Sequence, residues 1–423
     1  GIGIHQNKAP GVHLQGCISA LQASPAPVLS IDIPSGLLAD TGAWAGNISG
    51  VRANHTISLL TLKPGLFTAH GRDAAGCVWF HDLAISNTAL PADAWLQGAS
   101  LASQLHTAPV SVYTPPAHNS HKGCFGDVCV IGGAQGMQGA ALLAGEAALF
   151  AGAGRVYAGL LHTQNTAQPN PCLMVRGVGE VLPSTLPWKN ATVAAGCGGG
   201  KDIALYLPDL LQHSPRLVLD ADAINAIAVD QNLVRLLHWR AANGHATVLT
   251  PHPLEAARLL RCTAEDVQQN RMQAAQQIAT QYASMVVLKG SGSICALPIC
   301  GHSHATFSVD IDALALVKAG LPDTNLPVVN YSGNARLATA GTGDVLTGCI
   351  AAYWAQMHAE QQHARANATA AAWQTGWRAC CTAVHAHGDI ASQWNAAVCG
   401  ALTAQKLAQS LHRPSESLAV CAG

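Results

Sequence analysis

Residues 127–161 constrain the fold more than any other stretch. Asp127-Val128-Cys129-Val130-Ile131 is a short β-branched run that stops at Gly132-Gly133. An alanine-rich segment follows over 139–151, broken by Gly152-Ala153-Gly154, and a second apolar run returns over 155–161. Runs of that length read as strands, and the alanine-rich segment between them as a helix. Strand, glycine turn, helix, strand is the order of a parallel, right-handed crossover unit. Further runs at 192–195, 217–220, 247–250 and 285–288 extend the pattern. The fold class is therefore α/β with a mostly parallel sheet. Several runs end in glycine or polar clusters, which parallel pairing places along the C-terminal sheet edge, where such sheets bind ligands.

Composition matters here for what it excludes. With 49% hydrophobic and 11% charged residues, the chain of 423 residues fills a large core instead of staying disordered. A net charge of -1 offers no electrostatic footprint for nucleic acid or anionic membrane. No run of about 18 apolar residues predicts a membrane span, and no signal peptide is visible. Gly1 opens the chain in what reads as mid-motif, so an N-terminal truncation is expected. The 14 cysteines include no C-x-x-C pair, and Cys129, Cys295 and Cys349 lie inside apolar runs. They read as reduced thiols of a cytoplasmic protein. Among the 20 histidines, His302-x-His304 and His385-x-His387 lack companion ligands and do not read as metal sites.

The segment 338–350 carries the sharpest chemical signal. Small residues lead into Gly341-Thr342-Gly343-Asp344 and then an apolar run of helical spacing. Glycines allow close backbone approach, and a helix's first turn points unpaired N–H groups outward, which together suit a phosphate. Asp344 on that rim would repel phosphate unless it takes a proton or grips the substrate; as plain structure it is a helix cap. Three other strand ends add to it. Leu219-Asp220-Ala221-Asp222-Ala223-Ile224-Asn225 supplies two carboxylates and an amide. Thr250-Pro251-His252-Pro253 fixes a histidine between prolines, and Lys289-Gly290-Ser291-Gly292-Ser293 is small and amide-rich, able to wrap a phosphate or ribose. Each also reads as ordinary turn chemistry. Gly196-Cys197-Gly198-Gly199-Gly200-Lys201 is not a P-loop, because its glycine spacing fails. The region after residue 350 reads as helical, with Trp373 and Trp377 at core spacing and a helix end at Gly388-Asp389.

The first hundred residues have a different texture. Gly1-Ile2-Gly3-Ile4-His5-Gln6-Asn7 reads as a glycine loop without its preceding strand, and residues 17–23 as a short helix. Residues 28–33 read as a buried strand ending at Pro34-Ser35-Gly36, with Asp32 and Ser35 at its C-terminal end. Further strands are expected at 56–62 and 77–80. Proline, serine, histidine and asparagine crowd 104–122, placing a domain boundary near residue 104.

Two resemblances follow from these motifs. Gly-Ile-Gly-Ile, Ser-Ile-Asp-Ile-Pro-Ser-Gly-Leu, Ala-Asn-His-Thr-Ile-Ser and Leu-Lys-Pro-Gly-Leu resemble the second half of the Rossmann-like NAD(P)HX epimerase domain, here incomplete over 1–104. The resemblance implies that Gly1, Ile2, Gly3, Ile4, His5, Gln6, Asn7 and Asp32 touch substrate and that Ser35 binds K⁺. The family's first strands are not in this chain, so epimerisation is not expected. The ordered set Gly-Gly turn, Gly-x-Gly-x-Gly, Leu-Asp-Ala-Asp-Ala, Thr-Pro-His-Pro, Val-Leu-Lys-Gly-x-Gly and Ala-Gly-Thr-Gly-Asp resembles the ADP/ATP-dependent NAD(P)HX dehydratases over 105–423. That family is ribokinase-like, a three-layer sandwich. The likeness implies that Lys289, Gly290, Ser291, Gly292, Ser293 and Gly343 bind ADP or ATP, with Mg²⁺. It implies that Ala140, Gly198, His252 and Asp344 bind NADHX or NADPHX, with Asp344 catalytic, and that the protein forms a homo-oligomer. Departures are Pro171-Cys172-Leu173-Met174 for the family's Pro-Glu-Leu-Met, a more glycine-rich 196–200 loop, and a longer stretch over 296–329. Competing readings are a vitamin-precursor kinase on the same fold and a non-catalytic nucleotide-binding remnant.

Overall fold

Alternation along the central strands decides the architecture. A computed structural model describes residues 9–85, 94–97, 118–164, 170–182, 191–299, 326–363 and 368–413. Ten strands form one sheet: β4 (Trp95–Gln97), β5 (Asp127–Gly132), β6 (Arg155–Leu160), β7 (Met174–Gly177), β8 (Thr192–Ala195), β9 (Arg216–Leu219), β10 (Ala246–Leu249), β11 (Met285–Leu288), β12 (Ser293–Ala296) and β13 (Val328–Asn330). Their order is β4-β13-β12-β11-β10-β9-β8-β5-β6-β7, parallel throughout except for the β11-β12 and β12-β13 pairs. Successive side chains point to opposite faces, so each central strand feeds two cores. Val128, Val130, Ala194, Val218 and Val248 join one, and Cys129, Ile131, Val193, Leu217 and Leu249 the other.

Helices cover both faces, as a parallel sheet requires. On the first face lie Gln138–Phe150, the long helix Thr342–His363 and Ala368–Gln393; on the second lie Ala221–Val229, Pro253–Leu260 and Arg271–Gln281. The expected three-layer arrangement is present. Trp373 and Trp377 are core residues. The helix end expected at Gly388-Asp389 is not there, because Ala368–Gln393 runs through it. Gly388 instead lets the helix pack on Ser332, whose Oγ would overlap any added Cβ.

The first module is smaller. A helix, Val12–Ala23, precedes a parallel sheet of β1 (Leu29–Ile31), β2 (His55–Leu59) and β3 (Cys77–His81). The helix is longer than the sequence suggested. The expectation of a buried first strand holds for one face only: Ser30 is buried, but Leu29 is 61% exposed and Ile31 65%. Register aligns Ile31, Ile57 and Trp79 on one face of the three strands, and among the described residues no helix covers it. The proposed boundary near 104 and the Gly1–Asn7 loop lie outside the described residues. Chain from before that boundary contributes β4 to the large sheet, alongside β13.

Candidate active site

Register builds the site. Ile131 pairs with Ala195, Ala195 with Leu219, Leu219 with Leu249, and Leu249 with Val286. Gly132, Gly196, Asp220 and Thr250 therefore follow in one row at the C-terminal sheet edge, and the Lys289 N–H reaches the Pro251 carbonyl at 2.9 Å. Five loops meet there by construction.

At their centre is Asp220, 1% exposed. It stands where a helix cap would, yet its side chain does not cap Ala221–Val229. Its Oδ1 accepts from Lys289 Nζ at 2.6 Å and its Oδ2 from Thr347 Oγ1 at 2.7 Å. Burial alone would lower the Lys289 pKa, but Asp220 and Glu255 overcome it and hold the ammonium charged. Gly343 packs beside the pair: an added Cβ would lie 3.3 Å from Lys289 Nζ and 4.0 Å from Asp220 Oδ2.

Asp344 lies one residue further on, in the first turn of Thr342–His363, at the positive end of the helix dipole. Burial raises its pKa to about 6, and the nearby charge of Asp220 adds to that; the Cys197 thiol hydrogen bond and Lys289 pull the other way. Cys197 Sγ and one oxygen from each of Asp220 and Asp344 lie within 4.8 Å of one another. The turn is held from behind by His387, a buried ring whose Nε2–H donates to the Thr342 carbonyl at 2.9 Å. Burial drives that histidine down to about 4, so it is neutral and bonds as a dipole.

His252 caps Pro253–Leu260. Its Nδ1 accepts from the N–H groups of Leu254 at 3.1 Å and Glu255 at 3.3 Å. Glu255 returns the favour, accepting from the His252 N–H at 2.8 Å and standing 3.2 Å from Nε2. Burial raises Glu255 to about 7, and burial with the Lys289 charge lowers His252. Nδ1 is thus engaged in the cap, while Nε2 stands beside Glu255 on a half-exposed ring.

On the opposite wall, Gly198 (φ 57) presses against the start of Gln138–Phe150, with Ala140 Cβ 3.0 Å from where its own Cβ would stand. Its loop is pinned from beneath, the Gly200 N–H donating to Asp222 Oδ2 at 2.8 Å. The structure thus brings Ala140, Gly198, His252, Lys289, Gly343 and Asp344 to one sheet edge, with Gly290, Ser291, Gly292 and Ser293 on the adjoining turn. Asp32 and Ser35 are elsewhere, at the end of β1. Asp32 (φ 69) accepts from the Leu59 N–H at 3.1 Å and pairs with Lys63. The Ser35 carbonyl accepts from Val51 at 2.8 Å.

Sequence reasoning noticed the Asp220 motif without giving Asp220 a role, and it passed over Cys197, Thr347 and His387 as site residues. The signal for Asp220 was its place directly after a strand in the same row as the glycine loops. No local signal marked His387, whose partner is 45 residues away. His302 and His304 lie outside the described residues. No helix among the described residues is long and apolar enough to cross a membrane.

Comparison with known proteins places this geometry. A family model described as NAD(P)H-hydrate dehydratase matches residues 128–325, and one described as YjeF-related protein N-terminus matches residues 1–65. The bifunctional NAD(P)H-hydrate repair enzyme Nnr of Escherichia coli K12 is 34% identical over 363 residues, covering 84% of this chain and 61% of that protein. The chain therefore spans about six-tenths of the length of the bifunctional relatives it matches. The ADP-dependent (S)-NAD(P)H-hydrate dehydratase of Neisseria meningitidis serogroup B is 36% identical over 275 residues, covering 62% of this chain and 80% of that protein. A solved ribokinase-like superfamily protein of Enterococcus faecalis V583 aligns with a TM-score of 0.49 at 24% identity, over 71% of this chain and 90% of that one. On the dehydratase model match and the coverage of the Neisseria relative, this chain belongs to the NAD(P)H-hydrate dehydratase family.

Proposed function

We propose that the chain dehydrates (6S)-NADHX and NADPHX back to NADH and NADPH at the expense of ADP or ATP. The observation that carries the reading is Asp344, a carboxylate of pKa about 6 at a helix N-terminus, set beside the Lys289–Asp220 pair. Hydroxide is a poor leaving group, and a phosphoryl group converts it into a good one. The ring hydroxyl oxygen attacks the donor's terminal phosphorus, the bond to the bridging oxygen breaks, and AMP leaves from ADP or ADP from ATP. Asp344 takes the hydroxyl proton. The C–O bond then breaks with loss of phosphate, and the neighbouring ring carbon gives up a proton to restore the double bond.

Most of the work in such a transfer is positioning and charge stabilisation. The N–H groups at the start of Thr342–His363 face where the transferring phosphoryl would sit, and Lys289 supplies a fixed positive charge. Mg²⁺ favours hard oxygen ligands. In this cleft Asp220 is already gripped by Lys289 and Thr347, Cys197 is a soft donor and Asp344 is the base, so the nucleotide's own phosphate oxygens would be its main ligands. Mg²⁺ would supply neutralisation of nucleotide charge. In the first module the Ser35 hydroxyl, without a partner among the described residues, is the group that would meet K⁺. The family membership and the absence of a spanning helix among the described residues support a cytoplasmic site of action.

The test is to incubate the chain with NADHX and ADP, then ATP, and follow NADH absorbance. Its return only when nucleotide is present supports the reading. Nucleotide consumed on a pyrimidine or thiazole alcohol, with no NADH formed, supports the kinase instead.

A further inference from the structure

The turn Lys289–Ser293 is not free-standing. Its carbonyls are drawn backwards, away from the sheet edge, by two side chains distant in sequence. Arg271, 1% exposed and without a carboxylate partner among the described residues, sits behind the turn. Its Nη2 donates to the carbonyls of Leu288 (3.3 Å), Lys289 (3.2 Å) and Gly292 (3.5 Å), and its Nη1 to Gln268 Oε1 (2.7 Å). Its Nε donates to Thr68 Oγ1 at 3.2 Å. Thr68 belongs to the first module and is itself buried. Its hydroxyl lies 3.2 Å from the Ser291 carbonyl and 3.3 Å from that of Gly292. The Ala69 N–H donates to the same Ser291 carbonyl at 3.2 Å, from a left-handed conformation (φ 49) that alanine rarely adopts.

The glycines of the turn answer to this packing. An added Cβ at Gly290 would stand 2.8 Å from Arg271 Nη1, and one at Gly292 would overlap the Phe67 carbonyl oxygen. Phe67 stacks edge-on against Tyr331 at 5.3 Å, and Arg72 lies over Tyr331 at 5.2 Å while donating to the Gly333 carbonyl at 2.6 Å. With the carbonyls turned back, the N–H groups of Gly290, Ser291 and Gly292 have no hydrogen-bond partner among the described residues. Gly290 (φ 141) and Gly292 (φ 64) flank Ser291, which is not left-handed, and successive free N–H groups in such a turn form an anion-binding concavity.

We propose that Thr68 and Arg271 together form a positioning node, through which the first module shapes the turn that binds the nucleotide's phosphates. This rests on reading Lys289–Ser293 as the nucleotide turn. The first module then serves the second unit's affinity for its phosphoryl donor, independently of any epimerase chemistry of its own. Thr68 is a positioning residue, since it reaches the nucleotide only through the turn.

The test uses the full chain with Thr68→Val, which keeps shape but removes the hydroxyl, with Thr68→Ser, which restores it, and with Thr68→Ala as a second deletion. ADP affinity is measured by calorimetry, steady-state constants for ADP and NADHX separately, and amide exchange over 289–293. Thr68→Val and Thr68→Ala are expected to weaken ADP binding and raise its KM about tenfold, the scale of one lost hydrogen-bonding group. The KM for NADHX and kcat at saturating ADP stay within about twofold, and the protection from exchange that bound ADP gives the turn's amides falls, while Thr68→Ser behaves as the wild type. Unchanged ADP affinity in both deletions overturns the node, as does a parallel loss of ADP and NADHX binding with a lowered Tm. A wild-type chain that does not bind ADP overturns the nucleotide reading itself, and the node's role with it.

Discussion

Asp220 and Asp32 occupy matching places in the two sheets and have different company. Each follows the last residue of a parallel strand, and each is gripped by a lysine from a later loop. Asp32 answers only to its own module: Lys63 also donates to the Leu59 carbonyl at 2.7 Å and the Thr61 carbonyl at 3.0 Å, closing a local turn. Asp220 faces a second carboxylate, Asp344, delivered by a helix that starts more than a hundred residues later. An ion pair at a strand end is structural by default. It becomes part of a chemical site when another acid is set against it in a place where water is scarce, so that the second acid holds its proton more tightly.

The comparison breaks first on stability. Lys289→Met leaves the Asp220 carboxylate buried without its cation, and should cost about 3 kcal/mol, the usual scale for half of a buried pair. Lys63→Met leaves Asp32, whose side chain is 27% exposed, to be rescued by water, and should cost about 1 kcal/mol. Denaturant unfolding of both variants measures the gap; equal losses would mean that burial does not separate the pairs. Second in size is Asp344→Asn, expected to fold normally and to lose about 10²-fold or more in kcat/KM. Turnover within a few-fold of wild type would remove Asp344 from the chemistry. Third is pH. A base titrating at about 6 makes kcat/KM fall tenfold per unit below that value and level off above it. The same shift carries the opposite sign for stability. A carboxyl whose folded pKa is raised binds more protons folded than unfolded, so it costs stability as pH rises from about 4 to about 6. Smallest, then, is a Tm gain of about 2 °C for Asp344→Asn at neutral pH. The gain vanishes below pH 4, and thermal melts at the two pH values check it.

The same contrast explains what sequence could and could not disclose. Strands β5, β6 and β8 to β11 were legible because each is a short β-branched run punctuated by glycine or a polar cluster. Their C-terminal ends were legible as a site because parallel pairing leaves them no other edge to share. Strands β4 and β13 are three residues each and pair with one another across more than two hundred residues, a partnership that no local pattern announces. Leu29 and Ile31 were misjudged for a related reason: an apolar run says that a strand prefers cover, not that cover is present. Asp220 was visible as a carboxylate after a strand, but its meaning came from Lys289, 69 residues on. Gly292 was read for its freedom to wrap a ligand, whereas its tightest constraint is the backbone of Phe67 in the first module.

The most direct test is stoichiometric. Wild-type chain given NADHX and ADP should form one phosphate for each NADH, and Asp344→Asn should lose both products in the same proportion. NADH formed without phosphate release, or formed by Asp344→Asn at the wild-type rate, would contradict a phosphoryl transfer carried by this cleft.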